Sequence, residues 1–490
     1  MRAFTAMLVS LAACNGAVGE RTGELPDTST SVAVTSDMSG GTGSTSTGSP
    51  TTTSDEASTA NGTTTLDELT GTSTTTDITT TTTTTTDTDT TTDTTTGVAP
   101  PVVQSVQITA DNRRYVEMHG GWGPHLRGPM RDADDSLWFT VDAGEDVLHN
   151  REVVYMRRGP GEPAWSEVAR GQHAAGVQQN AASILLDGVI YSYAVDIAAH
   201  RVEECTLLVA DVAQHTCAPI LISGQPHVTP ANSNYIGAAV LGPGSRIVWW
   251  TVVGENGAPG EFHYTYNYGG GWNGPVVSGL GDGNDFAYVH AMRNATGELR
   301  LAGQAFIGKY PDGTYSARVA DLVPGQPLAL VALGSGDPKL VAQTAADLWV
   351  DPVSDAVHVL ATRSDASVGY YHRPGGAAWA AHGEPLHVFS DSYRARWLRA
   401  GEGPLHLLRG SAGGAGVELL RAATTEVAGP VDWALAELFA VPAPAEGFGA
   451  PSALFVESPT YQATPVPAID FAMCGQYQIS DGQIWQGWLE

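Results

Sequence analysis

Basic side chains are scarce in this chain of 490 residues: 24 Lys and Arg stand against 52 Asp and Glu, a formal charge of −28. The deficit runs through both parts. Residues 1–100 hold two basic residues, Arg2 and Arg21, against twelve acidic ones, which leaves 22 against 40 in the remainder. Phosphate recognition needs a basic face, so nucleic acid is excluded as a partner. Anionic lipid headgroups are disfavoured by the same repulsion. A neutral glycan or a surface protein remains. Long hydrophobic runs are absent too: no segment is apolar over the ~20 residues needed to span a bilayer. Neither a Gly-rich phosphate loop nor a nucleophile elbow is present. Cysteine is limited to Cys14, Cys205, Cys217 and Cys474. These lack the paired spacing of a zinc site, so no metal and no cofactor is assigned. "GDGND" offers Asp282 and Asp285 as a calcium turn but lacks the full ligand set.

The chain begins "MRAFTAMLVSLAAC", with Arg2 as a small positive region and Ala6 to Ala13 as a short apolar run ending in Leu11-Ala12-Ala13-Cys14. This ending resembles the bacterial lipobox. The resemblance covers only residues 1–14. It implies a signal peptide over 1–13, cleavage before Cys14, and acylation of Cys14 as a membrane anchor, each buried CH₂ contributing about 0.8 kcal/mol. Asn15 in place of Asp is expected to favour the outer membrane or cell surface over the inner membrane. An exported chain permits disulfides. Cys205 and Cys217 flank "TLLVADVAQHT", which reads as two strands around a turn, so a cross-strand bridge is expected, with Cys474 left as a small buried hydrophobe.

Residues 14–100 are Thr, Ser, Gly and Asp, including "TTTTTTTTDTDTTTDTTT" from Thr79 to Thr96. Such a segment cannot bury enough apolar surface to offset the entropy of ordering, so it is expected to be a disordered tether. As a flexible coil of roughly 85 residues it would span on the order of 50 Å.

The remainder, 101–490, repeats. Trp165 to Trp272 and Trp272 to Trp379 are each 107 residues, and Trp379 to Trp433 and Trp433 to Trp485 are 54 and 52. The period is therefore about 53, with Trp positions missing near 218, where Cys217 stands, and near 325. Seven apolar runs keep the same period: "LWFTVD", "VIYSYAVD", "IVWWTVV", "LRLAGQAF", "VHVLATR", "LHLLRGS" and "ALFVES", mostly preceded by turns such as "DADDS" and "ATGE". Three or four short strands per unit of about 50 residues predict an all-β chain folded as a seven-bladed β-propeller. The Trp would pack between blades, and "PVVQSVQITA" (101–110) would close the ring against the last one.

The pattern of "LWF", "VVYMRRG" and a following Trp resembles the blades of sialidase-like, BNR-type bacterial propellers. The Asp-box of those families is reduced here to Asp481, Gly482 and Trp485 in altered spacing. The arginine triad that a sialidase needs cannot be placed. Polysaccharide lyases sharing the fold use His, Tyr and Arg, which keeps an enzyme in play.

On this register the loops between units carry His119 or His125, His173, His227 and His290, and a later one carries Arg394 and Arg396. Together they would ring the mouth of a central channel, where they could bind an anionic sugar, hold a metal through neutral imidazoles or supply a general base. Loop histidines are more often merely solvated, and Tyr371-His372-Arg373 reads as a strand face. The leading reading is a lipid-anchored envelope protein displaying a propeller as a binding or scaffold module, for glycans among others. The alternative is a carbohydrate-active enzyme, lyase or glycoside hydrolase, at a His/Tyr/Arg-lined mouth. No catalytic residue is assigned.

Overall fold

The computed structural model describes residues 103–107, 128–144, 150–172, 182–196, 198–255, 258–307, 314–333, 346–363, 367–381, 383–390, 393–410, 416–443, 453–457, 466–474 and 484–489. The leader 1–13, the tether 14–100 with Cys14, and His119, His125 and His173 lie outside them. Among the described residues the structure is all-β, with one 3-10 turn at Trp433–Leu435.

Among the described residues seven sheets follow one another along the chain, antiparallel except where Ile222 pairs with Trp272 in the third. Sheet 1 is Met130–Arg131, Leu137–Gly144, Asn150–Arg158 and Ser166–Gln172; sheet 2 is Ala182–Leu186, Val189–Asp196, Arg201–Leu208 and His215–Pro219. Sheet 3 is Ser233–Gly242, Ser245–Val252, Glu261–Asn267 and Trp272–Gly279, widened at its outer edge by Leu221–Ile222 and Gln225–Pro226. Sheet 4 is Ala287–Arg293, Leu299–Ile307, Thr314–Leu322 and Val331–Ala332, and sheet 5 is Asp347–Val350, Val357–Thr362, Val368–Arg373 and His387–Phe389. Sheet 6 is Tyr393–Leu398, His406–Gly410, Val417–Arg421 and Glu437–Val441.

Sheet 7 is made differently. Its first three strands are Ala453–Val456, Asp470–Cys474 and Ile484–Leu489, and its outer strand is Val103–Gln107 from the start of the folded region, running Val103 opposite Leu489 to Gln107 opposite Trp485. The strand expected from 101–110 thus closes the last sheet. Because the outer strand comes from elsewhere, "ALFVES" forms the first strand of sheet 7, whereas the other six runs form second strands. Trp485 accordingly stands on a third strand.

The turns between first and second strands explain why the units punctuate so regularly. Asp135, Asp187, Gly188, Gly244, Gly297, Asp355 and Gly401 all take positive φ there, the conformation that Gly reaches freely and that Asp tolerates best among the rest. Asp132 and Asn294 fix their turns from within, their Oδ1 atoms accepting backbone N–H bonds from Ser136 (3.1 Å) and Glu298 (3.0 Å). The second strands are apolar without alternation: Ile247, Val248, Trp249 and Trp250 are all buried, because a neighbouring sheet covers each face.

The first strands pack on one another in order, sheet 1 on 2, 2 on 3 and onward to 6 on 7. Core clusters run with them, through sheets 1–4, then 4–6, then 6 and 7. A last cluster sets Leu137, Phe139 and Val141 of sheet 1 against Ala472 and Ile484 of sheet 7. Arg131 fastens the same junction, with Nε and Nη2 each 3.1 Å from the buried Glu457 carboxylate and a further bond to Asp470.

Candidate functional site

Four successive sheets present the same position on their first strands. Gly237 pairs with Trp249, His290 with Ala302, Asp347 with Leu360 and Arg396 with Leu408. Three of these four carry polar groups, and they meet. His290 Nδ1 lies 3.0 Å from Asp347 Oδ1. Asp347 also accepts the backbone N–H of Leu348 (2.9 Å) and of Trp397 (2.8 Å), and Arg396 donates to the carbonyls of Leu454 (3.2 Å) and Ala395 (3.0 Å). The chain of bonds therefore crosses sheets 4 to 7 along their first strands, and all three side chains are buried.

Burial is the largest influence on the Asp347 carboxyl and would raise its pKa. His290, Arg396 and the Trp397 N–H outweigh it and hold the group below the usual carboxylate value. Burial lowers His290, and the Arg396 charge adds to it against the pull of Asp347. A neutral imidazole whose Nδ1–H donates to a buried carboxylate is the arrangement of a positioned general base.

A second constellation recurs between sheets. Arg246 of sheet 3 donates from Nε to Tyr193 Oη (2.8 Å) and from Nη2 to Glu204 Oε2 (3.0 Å) on sheet 2, and lies over the Tyr191 ring (4.0 Å) and the Trp272 ring (4.9 Å). Arg373 of sheet 5 donates from Nη1 to both oxygens of Asp321 on sheet 4 (2.9 Å each) and covers Trp379 (4.4 Å), whose Nε1 donates to Asp321 Oδ1 (3.1 Å). Arg158 of sheet 1 reaches Gln486 Oε1 on sheet 7 (2.8 Å), as does Trp165 Nε1 (2.9 Å), and Arg158 covers Trp488 (4.4 Å).

Each unit combines an arginine, an aromatic face and an acceptor on the third strand of the preceding sheet. They stand at the 7/1, 2/3 and 4/5 junctions, which accounts for the double spacing of Trp165, Trp272 and Trp379. These three tryptophans fall within the spans of sheets 1, 3 and 5. The units are half-open: the Arg246 and Glu204 side chains are 11% and 17% exposed. Burial would lower the Arg246 pKa, but Tyr193 and Glu204 more than offset it and raise it, so the guanidinium stays charged.

The remaining sequence-derived candidates are dispersed. His290 and Arg396 lie within strands, not loops, because the first strands begin earlier than the loop residues around them suggest. Arg394 is the second residue of the same strand as Arg396, Tyr393–Leu398, and its side chain is outside the described set. His227, in the connection from sheet 2 to sheet 3, lies tilted against Trp250 (centroids 5.2 Å apart), which lies tilted against His263 (5.7 Å). Burial and the neighbouring His263 lower the His227 pKa. Among the described residues no hydrogen bond or ring contact joins His227 to His290. Asp282 is taken up by Arg318 Nη2 (3.1 Å), and His372 lies in the strand Val368–Arg373. Cys205 and Cys217 are bonded across adjacent strands, Cα to Cα 4.0 Å, in the expected pairing.

Asp347, Glu204, Asp321 and Arg246 were not anticipated, and Arg373 was read only as part of a strand face. One signal was available for the arginines: Arg158 and Arg373 each precede a periodic Trp by one tight turn, "RGPGEPAW" and "RPGGAAW".

No protein-family model matches this sequence, and no curated protein does. Among solved structures the chain is similar to the polysaccharide lyase Uly1, at 10% identity and TM-score 0.49 over 79% of this chain and 99% of that one. It is also similar to an α-L-arabinanase of Penicillium chrysogenum complexed with arabinobiose (12%, TM-score 0.39, 80% and 98%) and to the SapL1 lectin in complex with α-methyl fucoside (13%, TM-score 0.34, 60% and 92%). At these identities and scores, function is sought in this chain's own side chains.

Proposed function

We propose that the seven sheets are the blades of one closed seven-bladed propeller that binds neutral glycans in the clefts between blades. The observation that carries the reading is the Arg246–Glu204–Tyr191–Trp272 unit, with its relatives at Arg373 and Arg158. A fixed guanidinium beside a carboxylate matches vicinal hydroxyls, and half-buried aromatic rings match the apolar face of a sugar. The acidic chain repels anionic polymers, which leaves neutral glycans. Recurrence at three junctions makes the binding multivalent, so modest single-site affinity is amplified on a polymeric ligand.

A glycan array probed with the detergent-solubilised full chain tests this. A neutral glycan is expected to bind, and Arg246→Ala with Glu204→Gln to weaken it about tenfold or more at unchanged melting temperature. Absence of any glycan ligand, or equal binding by the double variant, sinks the proposal.

In this reading Cys14 carries the lipid, residues 14–100 hold the propeller away from the outer membrane or cell surface, and 1–13 are removed. Palmitate labelling is expected to disappear in Cys14→Ser; persistent labelling rejects the anchor.

The second reading, a carbohydrate-active lyase or hydrolase, is favoured by the His290–Asp347 pair. It requires polysaccharide cleavage that His290→Ala abolishes; chain shortening that is unaffected by the variant places any activity elsewhere.

A further inference from the structure

We propose that reduction of the Cys205–Cys217 bond uncovers a metal site for a thiolate-seeking d¹⁰ cation such as Zn²⁺, with Cys205 Sγ, Cys217 Sγ and His215 Nε2 as its ligands. The three ligand atoms lie within 4.8 Å of one another. Cys217 stands directly across from Cys205 in the register of sheet 2, and His215, two residues earlier on the same strand, points to the same face.

The distances fit the ion. With metal–sulfur bonds of about 2.3 Å and metal–nitrogen bonds of about 2.0 Å, neighbouring ligands of a tetrahedral centre are ~3.5–3.8 Å apart. His215 Nε2 is already 3.8 Å from Cys217 Sγ. Once the S–S bond is broken, the two sulfurs need part only to a similar separation, which side-chain rotation supplies.

The surroundings hold the imidazole in place. Its ring stands edge-on to Tyr155 of sheet 1 at 5.6 Å. Facing it, Gly171 leaves the room: a Cβ there would stand 2.3 Å from His215 Nε2 and 2.8 Å from Val153 Cγ1. Cys205 is fully buried, while His215 and Cys217 are half-buried on the outermost strand of the sheet. An ion therefore enters from the edge and meets a largely dry, sulfur-rich pocket, with its fourth position left for water.

The chemistry balances. A dithiol reductant gives two electrons and two protons to the cystine and is itself oxidised to a disulfide. The cation then displaces the two thiol protons, and His215 contributes the lone pair of its neutral ring. The outer strand of sheet 2 would be fastened by a covalent bond when oxidised and by a metal when reduced.

The test uses the full chain carrying Cys14→Ser and Cys474→Ser, so that no other thiol competes. Reduced with a phosphine and titrated with Cd²⁺ or Zn²⁺, it is expected to take up one equivalent, with thiolate-to-cadmium absorption, while the oxidised chain takes up none. His215→Ala is expected to weaken binding about tenfold or more. No uptake by the reduced chain, or equal affinity without His215, overturns the proposal. If reduction unfolds the chain, Zn²⁺ must restore the near-ultraviolet circular dichroism with His215 present and not with His215→Ala. Restoration in both, or in neither, overturns it equally.

Discussion

Tyr235 and Tyr288 occupy the same point on the first strands of sheets 3 and 4, and their rings meet edge to face with centroids 5.3 Å apart. Both backbones are left-handed, at φ 50° and 54°. Each sits in a bulge where the register skips, from Asn234 to Gly237 and from Ala287 to His290, and a third skip runs from Tyr393 to Arg396. A non-Gly residue held there costs about 1 kcal/mol or more, which the packed rings offset. A bulge re-aims the residue that follows it. Here those residues are Gly237, His290 and Arg396, two of which belong to the polar chain centred on Asp347.

The bulge also brings Gly237 against the indole of Trp249. A Cβ on Gly237 would lie 2.2 Å from Trp249 Cε2, and Trp249 is fully buried. Gly237→Ala is expected to cost about 1–3 kcal/mol through overpacking. Gly270, which has nothing within 4 Å of such a Cβ, serves as the control. Urea midpoints decide the matter: equal effects of the two substitutions would show that the indole moves aside freely.

Asp347 anchors the polar chain from inside, accepting from His290, Leu348 and Trp397. Asp347→Asn keeps the shape but loses the charge, and its amide can meet only some of these donors. A buried donor left unsatisfied costs about 1–3 kcal/mol, and a loss of that size is expected in chemical denaturation. A loss below about 1 kcal/mol would mean that the chain contributes no stability.

The junction between the first and last sheets rests on Arg131 of sheet 1, which meets Asp470 of sheet 7 and Glu457, the residue after its first strand. Burial raises the Asp470 pKa against the opposing pull of Arg131. Arg131→Met is expected to leave two buried carboxylates without their cation and to lower the melting temperature by several degrees. Hydrogen exchange should rise first in Val103–Gln107 and its partner Ile484–Leu489. Uniform exchange across all seven sheets would count against a local closure.

The sheets were legible in the sequence because their signals are local. Apolar second strands and left-handed turn residues such as Gly244 and Asp355 recur with the period. The closing strand at Val103–Gln107 was legible from its isolation before the first unit. The last unit was shifted by one strand, since borrowing that outer strand changes what precedes Trp485 and nothing in "ALFVES" marks the difference. The between-sheet units were not legible. Glu204 and Arg246 are 42 residues apart, and Arg158 and Gln486 are 328 apart. Only the packing of one sheet against another brings such pairs together. His290 was picked out as a histidine one period after His227, but its partner Asp347 sits in "AADLWV", an ordinary strand to any local reading.

The pH dependence of stability is expected to reside in His358. This side chain is fully buried, with Nε2 2.8 Å from the Val427 carbonyl and Nδ1 2.9 Å from Tyr370 Oη, which in turn accepts the Val431 N–H at 3.0 Å. Nε2–H therefore donates to the carbonyl and Nδ1 accepts the tyrosine hydroxyl, so the neutral ring is fully satisfied and a second ring proton has no acceptor. Burial above all pushes its pKa down to about 4 from 6.5, the Val427 carbonyl opposing. Between those values the unfolded chain binds a proton that the native one does not, so stability falls as pH is lowered through this window and is fully present above it. The two limits differ by about 3 kcal/mol at 1.36 kcal/mol per unit. Urea midpoints at pH 7.5 and pH 4.5 should diverge accordingly. In His358→Gln the divergence should shrink by up to half, because His406, which burial likewise pushes down to about 4, contributes about as much. An undiminished slope in the variant would assign the acid sensitivity to other groups.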